Sequence, residues 1–109
     1  MFKALFGNNI VENILLFLYT RGEGYPREIS SAYKGQLTSY ILQLKKLEKG
    51  GILASKLKGR TRIYVFNPRY PFLRELKALL EKALLFIPKA EKDKYYMPRL
   101  RPRRSGKPL

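Results

Sequence analysis

The sequence predicts a mainly helical domain with one small β-hairpin, an α+β arrangement of order α-α-α-β-β-α, followed by an extended basic tail. Three observations predict it. Apolar residues recur at helical spacing in four segments separated by Gly or Pro. One pair of short segments, the second rich in β-branched and aromatic residues, flanks Lys58-Gly59-Arg60-Thr61. Four of the seven prolines, at 88, 98, 102 and 108, fall where apolar residues become sparse. A length of 109 residues suits one domain, here 1–88, with 89–109 as the tail. At 45% apolar residues the chain has enough to bury for a folded core.

The elements follow in order. Asn8 and Asn9 cap a first helix over Ile10 to Tyr19. Only Glu12 and Asn13 are clearly polar in it, so it is covered on more than one side. Gly22-Glu23-Gly24 ends it, and Pro26 opens a short second helix to Tyr33, which Gly35 stops. A third helix spans Gln36 to Lys49 and ends at Gly50-Gly51, a pair suited to a left-handed cap. Leu37, Tyr40, Ile41, Leu44 and Leu47 share its inner face; Thr38, Ser39, Leu42, Gln43 and Lys46 share the outer one. Strands follow at Ile52–Leu57 and Arg62–Phe66, and Asn67-Pro68 ends the second. Pro71 starts a fourth helix to Phe86, with Phe72, Leu73, Leu76, Leu79, Leu80, Ala83, Leu84 and Ile87 on a stripe about 160° wide, and Pro88 closes it.

Charge speaks to partners. Lys and Arg number 23 against 8 Asp and Glu, a formal net charge of +15. Residues 1–87 carry +9 (15 cations, 6 acids) and residues 88–109 carry +6 (8 cations, 2 acids), so basicity belongs to the body as well as the tail. Nucleic acid is the favoured partner because each neutralised phosphate releases counterions. A solvated basic surface, an anionic membrane and an acidic protein are the alternatives. No apolar run is long enough to span a bilayer and no signal-peptide segment opens the chain, so no membrane contact and a cytoplasmic location are expected. With no Cys and no His, imidazole and thiol chemistry and the common zinc sites are excluded. Glu28, Glu48 and Glu75 stand isolated on helices, so the expectation is not an enzyme, with no catalytic residue, cofactor or metal.

A tight pair of helices followed by a basic hairpin is the winged helix-turn-helix plan. In it a helix enters the major groove and the hairpin reaches backbone or minor groove. The recognition-helix candidates are Gln36, Thr38, Ser39, Gln43 and Lys46. The wing candidates are Lys56, Lys58, Arg60, Thr61 and Arg62, with Gly59 permitting a tight turn. Arg62 has the further option of pairing within the hairpin. Tyr40 and Tyr64 fall inward by phase and read as core. In the tail, Arg99, Arg101, Arg103, Arg104 and Lys107 alternate with prolines, and Arg104-Ser105-Gly106-Lys107-Pro108 loosely resembles a minor-groove hook; a purely electrostatic tail is the other reading.

Two stretches resemble a known family. Leu44-Lys45-Lys46-Leu47-Glu48-Lys49-Gly50-Gly51-Ile52-Leu53 resembles the end of the recognition helix in arsenical-repressor-type (ArsR-like) winged helices, and Gly59-Arg60-Thr61-Arg62-Ile63-Tyr64-Val65-Phe66-Asn67-Pro68 resembles their wing and its exit. The Asn-Pro ending is most similar to the branch found beside minimal nucleotidyltransferase domains. The resemblance covers residues 8 to 72. It implies a homodimeric transcriptional regulator that binds double-stranded DNA sequence-specifically. The chain departs from the metal-sensing members in having no Cys or His, and Ile41 and Leu42 stand where relatives carry polar or basic residues.

The apolar first and fourth helices predict a two-fold homodimer, with Leu16, Leu76, Leu80 and Leu84 at its interface. The alternative function is a protein-interaction adaptor or accessory subunit, docking through Leu42 on a partner enzyme such as a nucleotidyltransferase. A further alternative is an RNA-associated basic protein.

Overall fold

A computed structural model describes residues 2–95. Its elements are α1 (Lys3–Phe6), α2 (Asn9–Arg21), α3 (Pro26–Ala32), α4 (Leu37–Lys49), β1 (Leu53–Lys58), β2 (Thr61–Phe66), α5 (Leu73–Leu84) and α6 (Lys89–Tyr95). The protein is thus mainly helical with one two-stranded antiparallel hairpin.

Helix α2 is the centre of the packing. Its N-cap is Asn8, whose side-chain oxygen accepts from the Val11 N–H at 2.8 Å. Ile14 to Leu18 are five consecutive buried residues, so the helix is enclosed all round. The expectation that a second subunit supplies part of this covering is not needed: the chain covers α2 itself, with α1, α4, α5 and β2 packed against it. Each such side chain contributes about 1.5–3 kcal/mol when removed from water.

Two polar groups on α2 tie it to its neighbours. The Asn13 amide donates to the Tyr40 hydroxyl of α4 at 3.0 Å, and the Tyr33 hydroxyl donates to the Asn13 carbonyl at 3.1 Å. The Glu12 carboxylate accepts from the Phe2 N–H at 2.6 Å, which holds α1 against α2.

The turns follow the sequence signals closely. Helix α4 ends in a Schellman arrangement: Gly51 takes a positive φ of 83°, and the Ile52 N–H returns to the Leu47 carbonyl at 3.0 Å. The hairpin register pairs Leu53 with Phe66, Ser55 with Tyr64, Leu57 with Arg62 and Lys58 with Thr61. Only Gly59 and Arg60 lie in the turn, with a positive φ of 66° at Gly59, the pattern of a II′ turn. Both strands therefore extend closer to the turn than the side-chain pattern implied.

Three features lie outside what the sequence suggested. Helix α1 is too short to show a periodicity. Gly24 forms a bridge with Tyr64: its N–H donates to the Tyr64 carbonyl at 3.1 Å and its carbonyl accepts from the Tyr64 N–H at 2.8 Å. This occupies the outer edge of β2 at Tyr64. Residues 89–95, expected to be extended tail, form α6 instead. Pro88 ends the preceding turn but also opens this helix, its carbonyl accepting from the Lys92 N–H at 2.8 Å. Tyr95 then anchors it, stacking on Tyr33 with ring centroids 5.0 Å apart.

Gly24 is fixed by space. A Cβ there would lie 2.9 Å from Phe17 Cε1 and 3.1 Å from Ile29 Cγ1. Gly24→Ala should therefore destabilise the fold by about 1–3 kcal/mol. Gly50→Ala meets only backbone carbonyls at ordinary contact distance, and should stay within about 1 kcal/mol of wild type. Urea unfolding of the two variants measures the difference. Burial raises the pKa values of Tyr40 and Tyr64 above the ordinary tyrosine value, with the Glu48 carboxylate adding to the effect at Tyr64. A proton held more tightly in the folded state stabilises it fully below the unfolded tyrosine pKa and is lost as pH rises through the folded one. Thermal melts should accordingly show a midpoint that falls progressively above about pH 10, and less steeply in Tyr40→Phe.

Candidate nucleic-acid interface

The interface is built on α4 and the hairpin. Helix α4 buries Tyr40, Leu44 and Leu47 against the core, which fixes the direction of its free side. Thr38, Leu42, Lys45 and Lys49 are all exposed and recur at i, i+4, i+7 and i+11, so they form the outermost ridge. Lys46 is exposed beside it, and Gln36 is exposed at the N-cap position. Ser39 and Gln43 are half-buried and flank the ridge.

Lys45 and Lys49 are therefore surface cations that the sequence reading did not single out. Counting Leu37 and Ile41 as core tilted the inferred inner axis, whereas both are only half-buried. The axis through Tyr40, Leu44 and Leu47 alone points the opposite side at Lys45 and Lys49. The outer face thus carries three exposed lysines, not one. Leu42, 53% exposed, sits among them.

The hairpin register divides the wing residues between two faces. Arg62 lies opposite Leu57, on the same side as Ser55 and Tyr64. Lys56 and Lys58 lie on the other side, and Arg60 is in the turn. All five candidates, Lys56, Lys58, Arg60, Thr61 and Arg62, are exposed. Lys58 sits 3.9 Å from the Glu23 carboxylate, an exposed pair that adds little stability.

Arg62 is held in place by a relay. Its Nη1 donates to Ser55 Oγ at 2.8 Å, and Ser55 Oγ donates to Glu48 Oε2 at 2.6 Å. One hydroxyl thereby links α4, β1 and β2, and the last turn of the helix is tied to the hairpin. Of the isolated carboxylates, Glu48 has this structural task and Glu28 accepts from the Tyr25 N–H at 3.4 Å. Among the described residues no three His, Cys, Asp or Glu side chains gather as a metal site would require. No helix among them is long and apolar enough to cross a membrane.

The remaining candidates divide as follows. Arg99, Arg101, Arg103, Arg104 and Lys107 lie outside the described residues. Tyr95, the last described residue, is linked to α4 by stacking: Tyr33 lies between Tyr95 and Tyr40, with the Tyr33 and Tyr40 rings 6.4 Å apart. For the dimer candidates a correction is required. Leu16 and Leu80 are each 0% exposed in the single chain, sealed by their own neighbours, and have no surface to offer a partner. Leu76 and Leu84 are half-buried and pack on the same core. Leu5, Phe72, Leu85 and Phe86 are exposed apolar side chains, and Phe86 also lines a groove of about 340 Å³ with Phe2, Leu79, Lys82 and Ala83.

Ser55→Ala removes both hydrogen bonds of the relay and should lower stability by about 1 kcal/mol in urea unfolding, with Ser55→Thr recovering most of it. No family model matches this chain, and no curated protein or solved structure matches it either.

Proposed function

We propose that the protein is a winged helix-turn-helix regulator of the arsenical-repressor-like type, binding double-stranded DNA sequence-specifically as a homodimer in the cytoplasm. The observation that carries this reading is that α4 and the hairpin, tied together through Glu48, Ser55 and Arg62, both expose cations. Lys45, Lys46 and Lys49 on the helix and Lys56, Arg60 and Arg62 on the hairpin are all exposed. A convex helix flanked by a basic hairpin suits a groove and its bordering phosphates. Thr38 and Gln36 then face base edges, with Leu42 available for a thymine methyl. Arg60, Arg62 and Lys56 contact the backbone or the adjacent minor groove.

The adaptor reading depends on Leu42 belonging to an apolar patch. Its exposed neighbours along the ridge are Thr38, Lys45, Lys46 and Lys49, which favours a polyanion over an apolar partner. RNA shares the phosphate chemistry and is separated from DNA by the test below.

Binding to duplex DNA, duplex RNA and a random duplex across a salt series tests the proposal. A dimer neutralising about 6–10 phosphates loses about 10³–10⁵ in affinity between about 50 and 200 mM salt. Arg60→Ala with Arg62→Ala should weaken all duplexes alike and flatten the slope, whereas Thr38→Ala should alter site choice more than overall affinity. Preference for RNA, or an unchanged slope in the double variant, overturns the assignment.

A further inference from the structure

A chamber built from neither the hairpin nor α4 lies between the start of α2, the end of α3 and α6. It holds about 390 Å³, and its lining includes Glu12, Asn13, Tyr33, Ile87, Glu91 and Tyr95. That volume falls in the range of small-molecule sites. Its chemistry runs against that of the chain. Lys and Arg outnumber Asp and Glu by 23 to 8. Yet two of the acids line this one cavity, and among the described residues no Lys or Arg lines it.

The polar groups it offers a ligand are acceptors. Glu91 stands exposed in the first turn of α6 and makes no hydrogen bond or ion pair among the described residues. Glu12 accepts from the Phe2 N–H, and a carboxylate has acceptor sites for several donors. The Asn13 amide donates to the Tyr40 hydroxyl at 3.0 Å, which leaves its Oδ1 as an acceptor with no partner among the described residues. Two carboxylates and an amide oxygen suit a ligand rich in N–H donors and positive charge, and they disfavour phosphate or carboxylate. The apolar part of the wall is Ile87 with the Tyr33 and Tyr95 rings, which suits a hydrocarbon stem. The ring stack already takes an ammonium group, since Lys94 Nζ lies 5.2 Å from the Tyr95 centroid while lining a neighbouring cavity.

We propose that this chamber binds an aliphatic diamine, its two ammonium groups on Glu91 and Glu12 and its methylene stem against Ile87 and the tyrosine rings, and that occupancy is transmitted to α4 through Asn13 and Tyr33. Both of these lining residues hold Tyr40 of α4, Asn13 by its hydrogen bond and Tyr33 by stacking at 6.4 Å. A ligand that draws on Asn13 or displaces Tyr33 therefore acts on the residue that seats α4 in the core. The binding site stands apart from the nucleic-acid reading, whereas the transmission rests on it. Linkage makes that effect reciprocal: the diamine changes duplex affinity by the same factor as the duplex changes diamine affinity.

Calorimetric titration of the full chain with putrescine, free of nucleic acid and at fixed ionic strength, tests the site. Saturable binding is expected, with none for butanediol, the uncharged isostere. Glu91→Gln should weaken putrescine about tenfold or more, the loss of one charge-assisted contact. Glu81→Gln, an exposed acid outside the chamber, should leave it unchanged. Circular dichroism melts verify that each variant is folded. Equal binding by wild type and Glu91→Gln, or equal binding of the diol, overturns the site. An arginine from residues 96–109 carries the same chemistry as a free cation, so the titration is repeated on the full chain with Arg99→Ser and Arg101→Ser. Binding seen only there assigns the chamber to the chain's own arginines and overturns a free ligand; binding in neither chain overturns the chamber. Duplex affinity with and without putrescine, compared between wild type and Glu91→Gln, tests the transmission. A shift of about fivefold or more in wild type alone is expected, and equal shifts in both overturn it. A chain that binds putrescine but no duplex keeps the chamber and loses the nucleic-acid reading.

Discussion

The enclosure of α2 is the constraint on which the other elements depend. Five successive side chains from Ile14 to Leu18 point in every direction around a helix and are all buried, so every side of the helix must be covered. A chain of this size has few elements with which to do that, and each is committed. Helix α4 gives up Tyr40, Leu44 and Leu47, α5 gives up Leu80 and Ala83, and β2 gives up Tyr64 and Phe66. What each element has left to show solvent is then fixed by geometry. The lysine ridge of α4 is the residual face of a helix whose inner side α2 has claimed, and Phe72 and Phe86 stand exposed at the two ends of α5.

The acidic residues are few, and several have structural tasks. Glu12 holds the Phe2 N–H, Glu28 the Tyr25 N–H and Glu48 the Ser55 hydroxyl. Carboxylates engaged in this way sit close to the backbone and at element junctions, while the cations extend outward. The two signs thus divide the work, the acids joining elements and most of the cations standing exposed.

Much of this was legible in the sequence where the signal is local. Asn8, Gly22, Pro26 and Gly51 act at the ends of helices by rules of backbone geometry that need no tertiary context. The inward phase of Tyr40 and Tyr64 was legible for the same reason. Contacts between distant segments were not. The Gly24–Tyr64 bridge joins residues 40 apart, and nothing in a lone glycine announces a strand partner. Leu16 and Leu80 look like surplus apolar surface only if the covering available within one chain is underestimated. On α4, Leu37 and Ile41 are apolar but only half-buried, and hydrophobicity alone placed the helix axis wrongly by enough to hide Lys45 and Lys49.

The hairpin has one more consequence. Gly24 occupies the outer edge of β2 at Tyr64, but among the described residues β1 pairs on one side only, which leaves its other row of backbone N–H and C=O groups open. An open strand edge is a template on which another chain can add a strand, and natural proteins blunt it with short length and lysine. Strand β1 has both: six residues, with Lys56 and Lys58 near its end. The exposed lysines of the hairpin are thus gatekeepers against edge-to-edge aggregation, and a hairpin stripped of them would be open to it.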